Sequence, residues 1–331
     1  MVNTPALNTP FTPAGNPVTN PLGCTDAATA STGCVSSYEV KSSKPTWMIN
    51  LDYKPADDVL VYGKYARGYR AGGIGTNAPL DHRTFEAEQV DNFELGLKSQ
   101  WRGAVPTTFN VAAFYNNFTN QQIQVGYNAV GPVSPTAAIL NAGKSRIYGA
   151  EAELSLSPIT GLAINLNYTY LSATIQEIGD ISTKDPNYIV GAAILPGSTL
   201  ALSPKNKAVL GVTYTLPLDK SIGSVFVGAT GAYTGKQQTN YAYQVTQPVN
   251  VVNALGGDYG TVAARTLLNL NLGWKSIFGT NVDLTAFGTN VTNKQYYTFI
   301  PGLGSAGVHA EWAQLGEPRM FGLRAAYHFG G

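Results

Sequence analysis

Tyr148-Gly149-Ala150-Glu151-Ala152-Glu153-Leu154-Ser155-Leu156, then Ser157-Pro158-Ile159-Thr160-Gly161, then Leu162-Ala163-Ile164-Asn165-Leu166-Asn167-Tyr168-Thr169-Tyr170, is the stretch that decides the fold. Tyr148, Ala150, Ala152, Leu154 and Leu156 alternate with Gly149, Glu151, Glu153 and Ser155. After the turn, Leu162, Ile164, Leu166, Tyr168 and Tyr170 alternate with Ala163, Asn165, Asn167 and Thr169. Successive side chains of a strand point to opposite faces, so this is a hairpin with one apolar and one polar face, reversed at Pro and Gly. A soluble antiparallel sheet with one wet face has that pattern. So does a transmembrane barrel, apolar towards lipid and polar towards a lumen.

The pattern recurs on both sides of the hairpin. Upstream, Trp47, Ile49, Leu51 and Tyr53 alternate with Met48, Asn50 and Asp52, and Val59 to Arg70 forms a second strand rich in Tyr. Phe93, Leu95, Leu97 and Trp101 follow, then Phe109, Val111, Ala113 and Tyr115 in a strand expected over 107–125. Downstream come Ala208, Leu210, Val212 and Tyr214, then Val225, Val227, Ala229 and Tyr233. Leu268, Leu270, Leu272 and Trp274, then Val282, Leu284 and Ala286, and finally Phe321, Leu323, Ala325, Tyr327 and Phe329 complete about eleven strands.

The connections separate the two architectures. Turns of about four to seven residues alternate with loops of about twelve to twenty-four, among them 71–88, 126–138, 178–199, 240–263 and 299–316. A sandwich has no reason to put every long loop at one end, whereas a membrane barrel has short periplasmic turns and long extracellular loops. Aromatic residues near strand ends (Trp47, Tyr53, Trp101, Tyr168, Tyr170, Trp274, Tyr327) suit interfacial girdles. Charged residues make up only 12% of the chain, half the usual share of about 25%. No apolar run is long enough for a spanning helix. In hydrocarbon every backbone polar group needs an internal partner, so a chain that spans without helices must do so as a closed sheet. The expected fold is therefore all-β, a transmembrane antiparallel meander barrel. Leu154, Leu166 and Leu270 should face lipid, and Glu151, Glu153 and Lys207 the lumen.

Chemistry-bearing constellations are sparse. The net charge of +1, with no basic run, gives no case for nucleic acid. Gly72-Gly73-Ile74-Gly75 lacks the Lys-Ser/Thr and helix of a phosphate cradle. His82, His309 and His328 are scattered, and Asp180, Asp185 and Asp258 read as solvated loop acids rather than a calcium site. Three glycosylation sequons, at Asn117, Asn167 and Asn290, fall in strand segments and carry no weight. Cys24 and Cys34 lie in a Gly/Ser/Thr/Ala-rich segment that looks extracellular, which favours a disulfide clip over two free thiols. No nucleophile, base or metal set points to an enzyme, and no cofactor is expected.

Several local patterns, in order, resemble the TonB-dependent outer-membrane receptors. They are Val59-Leu60-Val61-Tyr62-Gly63-Lys64-Tyr65-Ala66-Arg67-Gly68-Tyr69-Arg70-Ala71-Gly72-Gly73 and Asn92-Phe93-Glu94-Leu95-Gly96-Leu97-Lys98-Ser99. Ala113-Phe114-Tyr115 leads to Gln121-Gln122-Ile123-Gln124, and Asn141-Ala142-Gly143 precedes Gly149-Ala150-Glu151-Ala152-Glu153. Asn290-Val291-Thr292-Asn293-Lys294-Gln295-Tyr296 and Gly316-Glu317-Pro318-Arg319 stand before the last strand. The resemblance implies a barrel of about 22 strands around an N-terminal plug, in the bacterial outer membrane. It implies import of a scarce nutrient, most often a ferric siderophore and otherwise cobalamin, haem or carbohydrate, driven by a TonB complex pulling on an N-terminal TonB box. Arg67, Tyr69 and Arg70, at the entrance to loop 71–88, are the ligand contacts it suggests, since cations and phenols suit an anionic ferric chelate.

The chain departs from that pattern: Met1-Val2-Asn3-Thr4-Pro5 opens no signal peptide, no plug or TonB box is recognisable, and the strand count is odd. The expectation is the C-terminal half of such a receptor, with 1–44 a long extracellular loop segment and 45–331 the C-terminal portion of the barrel. Its partners would be outer-membrane lipid, the missing N-terminal half-barrel and plug, and the TonB complex through that plug. An autotransporter-type barrel, needing a passenger and a helical linker upstream of residue 45, and a porin-like barrel, needing a complete ring, are the alternatives.

Overall fold

Alternating sequences of this kind pair edge to edge, and in the computed structural model they do so in chain order. The structure describes residues 33, 35–130, 133–191, 194–239, 260–300 and 312–329. The strands are β1 (Trp47–Ala56), β2 (Val59–Arg70), β3 (Glu88–Trp101), β4 (Thr107–Ala129), β5 (Thr136–Leu156) and β6 (Leu162–Ile178). They continue with β7 (Asn206–Thr215), β8 (Ser224–Thr234), β9 (Arg265–Lys275), β10 (Val282–Thr289) and β11 (Met320–Tyr327). Each is antiparallel to the next in one meander, and the short strand Tyr188–Val190 adds to β4 off that path. Among the described residues neither β1 nor β11 is paired on its outer side, so the sheet is an open arc rather than a closed ring.

Register settles the two faces, because residues directly opposite in a ladder share a side. One apolar rung runs Phe109–Leu154–Leu166–Leu210 across β4 to β7, and another runs Ala229–Leu270–Gly288–Phe321 across β8 to β11. The opposite face carries the rung Tyr62–Gly96–Ala112–Glu151–Thr169–Lys207–Thr234–Arg265. Leu154, Leu166 and Leu270 thus share the apolar outer face, and Glu151, Glu153 and Lys207 the polar inner one, as the alternation predicts. Exposure inverts the rule for a protein in water: on the interior strands Leu95 is 63% and Leu272 50% accessible, as expected of side chains whose partner is lipid.

Aromatics border the apolar band. On β2 to β5 the rung Tyr65–Phe93–Tyr115–Tyr148 marks the long-loop side. On β6 and β8 the border has moved four residues towards the short turns, to Tyr168 and Tyr233, which both pair with Ala208. Four residues are about 13 Å of strand, a drift that tilted strands require. Trp101 and Trp274 mark the short-turn side, and the Trp274 indole N–H donates to the Ile222 carbonyl at 2.7 Å.

The structure corrects the reading of 126–138 as a loop. β4 and β5 run on to Ala129 and from Thr136, so the hairpin stands beyond the membrane band and only 130–135 connect it. The pairing shifts twice, around Phe118–Gln121 and Gln121–Gln122, and Asn120 has φ 54°, in the left-handed region. This bulge resets the alternation. Phe109 to Tyr115 present odd-numbered apolar residues outward; past the bulge, odd-numbered Ile123, Val125 and Tyr127 turn inward. The reversal falls where lipid gives way to water, which is where apolar side chains must change sides. There they form a packed core with Ala138, Leu140, Ile175, Ile194 and Ala78.

Candidate functional site: the polar inner face and its mouth

The inner face is built by alternation alone, and cross-strand pairs lock its side chains. Lys64 Nζ donates to Glu94 Oε2 at 2.6 Å, and the Tyr62 hydroxyl donates to Glu94 Oε1 at 2.8 Å. Asn92 Nδ2 donates to Asn116 Oδ1 at 2.7 Å, and Ser155 Oγ to Asn165 Oδ1 at 2.8 Å. Asn110 Nδ2 reaches Glu153 Oε2 at 3.3 Å. No carboxylate of the described residues forms an ion pair with Lys207. The lining is thus mixed in sign and rich in amides.

A second device keeps that face smooth. Four inner aromatic rings each lie on the glycine directly opposite in the next strand: Tyr62 on Gly96, Phe114 on Gly149, Phe226 on Gly273 and Phe287 on Gly322. A Cβ on Gly273 would sit 2.1 Å from the Phe226 ring, and one on Gly96 2.4 Å from the Tyr62 ring. The missing side chain lets each ring lie flat against the sheet instead of projecting into the lumen.

At the mouth, loops 71–87 and 179–205 close over the projecting hairpin of β4 and β5. Asp81 ties the two loops: its carboxylate accepts from the Thr183 hydroxyl at 2.6 Å and the Lys184 amide at 2.7 Å. Asp185 answers by accepting from the Leu80 amide at 3.1 Å, and His82 Nε2 contacts the Ser182 carbonyl at 2.7 Å. Beneath them the Tyr127 hydroxyl donates to the Ile181 carbonyl at 2.8 Å. The bulge holds loop 71–87 from below, since Gln122 Nε2 donates to the carbonyls of Ala71 and Glu86 and Asn141 Nδ2 to those of Glu86 and Asn120. Burial pushes the Asp81 carboxyl up, but the Lys184 amide, the Thr183 hydroxyl and nearby His82 outweigh it and hold the group below its ordinary value. The side-chain and backbone donors of Ser182 lower Asp180 in the same way.

The register divides the three residues that the sequence singled out. Arg67 and Tyr69 share the outer face, because Arg67 pairs with Trp47 and stacks over its ring at 4.8 Å. Its guanidinium forks onto Asp91, with Nε to Oδ1 at 2.6 Å and Nη2 to Oδ2 at 2.7 Å. Arg70 alternates to the inner face at the mouth, 2.9 Å from Glu88 Oε1, with 62% of its side chain accessible. The period of two counted from Tyr65 contains that division. Cys24, Cys34 and Asp258 lie outside the described residues. Among the described residues no group of three or more His, Cys, Asp or Glu side chains is placed to hold a metal ion.

Residues 22–322 match the family model described as TonB dependent receptor-like, beta-barrel. The ferric-pyoverdine M114 receptor PbuA of Pseudomonas sp. (strain M114) is 27% identical over 269 residues, covering 80% of this chain and 27% of that protein. Among solved structures, the ferric yersiniabactin uptake receptor FyuA of Yersinia pestis superposes with a TM-score of 0.61 at 20% identity, over 84% of this chain and 36% of that one. The siderophore receptor PiuA of Acinetobacter baumannii gives a TM-score of 0.62 at 20% identity, over 85% and 35%. The chain thus spans about a quarter to a third of the length of these relatives.

Proposed function

The chain belongs to the TonB-dependent receptor β-barrel family of the bacterial outer membrane, and we propose that it forms the C-terminal barrel portion of a receptor importing a ferric siderophore. The observation that carries this reading is the largely polar inner face of a membrane-type sheet that, among the described residues, stays open. Unpaired strand edges are not viable in hydrocarbon, so β1 and β11 need neighbours, and further strands must complete the ring. In this reading residues 45–331 are the C-terminal portion of the barrel and 1–44 an extracellular loop segment. A plug would occupy the lumen lined by Glu94, Glu151, Glu153 and Lys207, and a TonB complex would act through that plug.

Arg70 is the proposed ligand contact among the three sequence candidates. It is a cation on the lumen side of the mouth, accessible on the approach to loop 71–87. Arg67 and Tyr69 would support the same loop from outside. The mixed-sign lining suits a large polar chelate, because it offers donors and acceptors along a path rather than one deep charge. The relative named for ferric pyoverdine supports an iron chelate over other cargoes.

The test is uptake of radiolabelled iron by a deletion strain grown under iron limitation. It should be supplied in turn with hydroxamate, catecholate and mixed-ligand ferric chelates. Loss of uptake for one class, restored by the gene and reduced by Arg70→Gln, is expected. Unchanged uptake of every chelate, with loss of cobalamin or carbohydrate uptake instead, would replace the cargo.

A further inference from the structure

The charges of the inner face are not spread evenly. From β2 to β5 its acids are Glu88, Glu94, Glu151 and Glu153, and its cations are Lys64, Arg70 and Lys98. Arg70 pairs with Glu88 at 2.9 Å and Lys64 with Glu94 at 2.6 Å. From β7 to β11 the balance turns positive. Lys207, Arg265, Lys275 and Arg324 face the lumen, against Asp283 alone. Asp283 is occupied by His328 at 3.0 Å and by the Ser276 amide at 2.8 Å. No carboxylate of the described residues pairs with any of the four cations. Arg265 and Lys275 lie over rings instead, 5.0 Å from Tyr296 and 5.5 Å from Phe226. A ring attracts a cation without cancelling its charge.

The four cations stand at two depths. Lys207 and Arg265 flank Thr234 on one rung at the long-loop end, two strand spacings or about 10 Å apart at the backbone. Lys275 closes β9 at the short-turn end, and Arg324 lies one inner rung above it, in register with Thr285 and Gly273. Arg265 and Lys275 are ten residues apart. That is about 33 Å of strand, or about 25 Å of depth at a tilt near 40°, the height of the apolar band. Between the two levels β7 to β9 turn Thr213, Thr230, Asn269 and Asn271 inward, and no charge.

A wall of one sign raises the local concentration of the opposite ion along it. We infer that the imported ferric chelate is anionic and travels along the β7 to β11 wall, caught at the mouth by Lys207 and Arg265 and received at the short-turn rim by Arg324 and Lys275. This rests on the cargo reading above, and adds the charge of the cargo and the side of the lumen it takes.

Thiol labelling of the full-length receptor in outer-membrane vesicles tests the track without its cargo. Thr230 and Thr108 share a rung, one on each wall. Thr230→Cys and Thr108→Cys are compared in a Cys24→Ser, Cys34→Ser background, using an anionic sulfonate and a cationic trimethylammonium methanethiosulfonate. The anionic-to-cationic rate ratio should be about tenfold higher at position 230, and Lys207→Gln with Arg265→Gln should remove the difference. Equal ratios at the two positions, the result if carboxylates of the plug cover the four cations, would overturn the track. So would a ratio that the double substitution leaves unmoved.

Radiolabelled-iron uptake then joins the track to the cargo, with hydroxamate, catecholate and mixed-ligand ferric chelates as probes. For the chelate that wild type imports, Lys207→Gln with Arg265→Gln should raise the half-saturating concentration about tenfold. Lys275→Gln with Arg324→Gln should lower the maximal rate and leave half-saturation unchanged. Lys207→Arg with Arg265→Lys keeps both charges and should retain uptake, and Lys220→Gln, in the turn between β7 and β8, should not alter it. An equal loss in the charge-keeping pair would mark a packing role and overturn the inference. Wild-type cells that import no ferric chelate would strike the cargo reading, while the labelling ratios judge the track separately.

Discussion

Replacing Leu166 by Arg measures the lipid face directly. Leu166 lies four residues from Leu162, at the short-turn end of β6, and four from Tyr170, the outer member of the Tyr168–Tyr170 pair that borders the apolar band on this strand. Four residues are about 13 Å along a strand, or about 10 Å of depth at a tilt near 40°. That puts Leu166 close to the middle of an apolar band about 25 Å tall. Arg at such a depth costs about 2–4 kcal/mol, or about 30- to 900-fold in the folding equilibrium. Asn167→Arg is the matched control. It moves one residue, keeps the depth, and places the same cation on the inner face opposite Glu153, so its effect should stay within about 0.5 kcal/mol. The assay is denaturant titration of the protein in vesicles, followed by the mobility shift between folded and unfolded barrel. A small cost for Leu166→Arg together with a large one for Asn167→Arg would refute the assignment of faces.

Gly273→Ala should cost about 1–3 kcal/mol by driving the Phe226 ring off the sheet, and adding Phe226→Leu should recover most of it; purely additive losses in the same titration would exclude the ring-on-glycine contact. Ile175→Ala removes a fully buried side chain from the core under the mouth. A loss of about 2–5 kcal/mol is expected there, read as faster tryptic cleavage after Lys184, and an unchanged cleavage rate would contradict that packing. Acid should loosen the loop junction. Asp81 and Asp180 titrate below the ordinary value of 3.8 in the folded protein, so their stabilisation is complete above that value and is lost as pH falls through the lower folded values. Hydrogen exchange at the Ser182 and Lys184 amides should therefore rise, once corrected for intrinsic rates, only in that acid range; a rise at neutral pH would point to another group.

Much of this architecture is legible in the sequence because a membrane strand reports both faces with a strict period of two. Phe109, Leu154, Leu166 and Leu210 alternate cleanly, and the same residues form a single rung. The mouth is harder to read. Ile123, Val125 and Tyr127 keep the odd numbering of Phe109 to Tyr115, yet they face the other way, because the bulge at Asn120 inserts a residue between the two runs. Gly126 and Asn128 look like turn residues and disguise the continuation of β4. Whether an Asn adopts a left-handed conformation depends on its tertiary partners, here the Ala87 carbonyl at 3.0 Å. The ties between loops 71–87 and 179–205 join residues about a hundred positions apart and leave no local signal. The separation of Arg67 and Tyr69 from Arg70 was present in the alternation, blurred by the Tyr, Gly and basic residues that fill 62–70 around Ala66.

The central claim is a sheet with lipid on one side and a polar lumen on the other. It is tested most directly by single-cysteine fluorophore labelling along 162–170, with Cys24 and Cys34 replaced by Ser, in vesicles. Brominated acyl chains should quench probes at Leu162, Ile164, Leu166 and Tyr168, and aqueous iodide those at Ala163, Asn165, Asn167 and Thr169. Quenching by one agent at every position, with no period of two, would contradict the account.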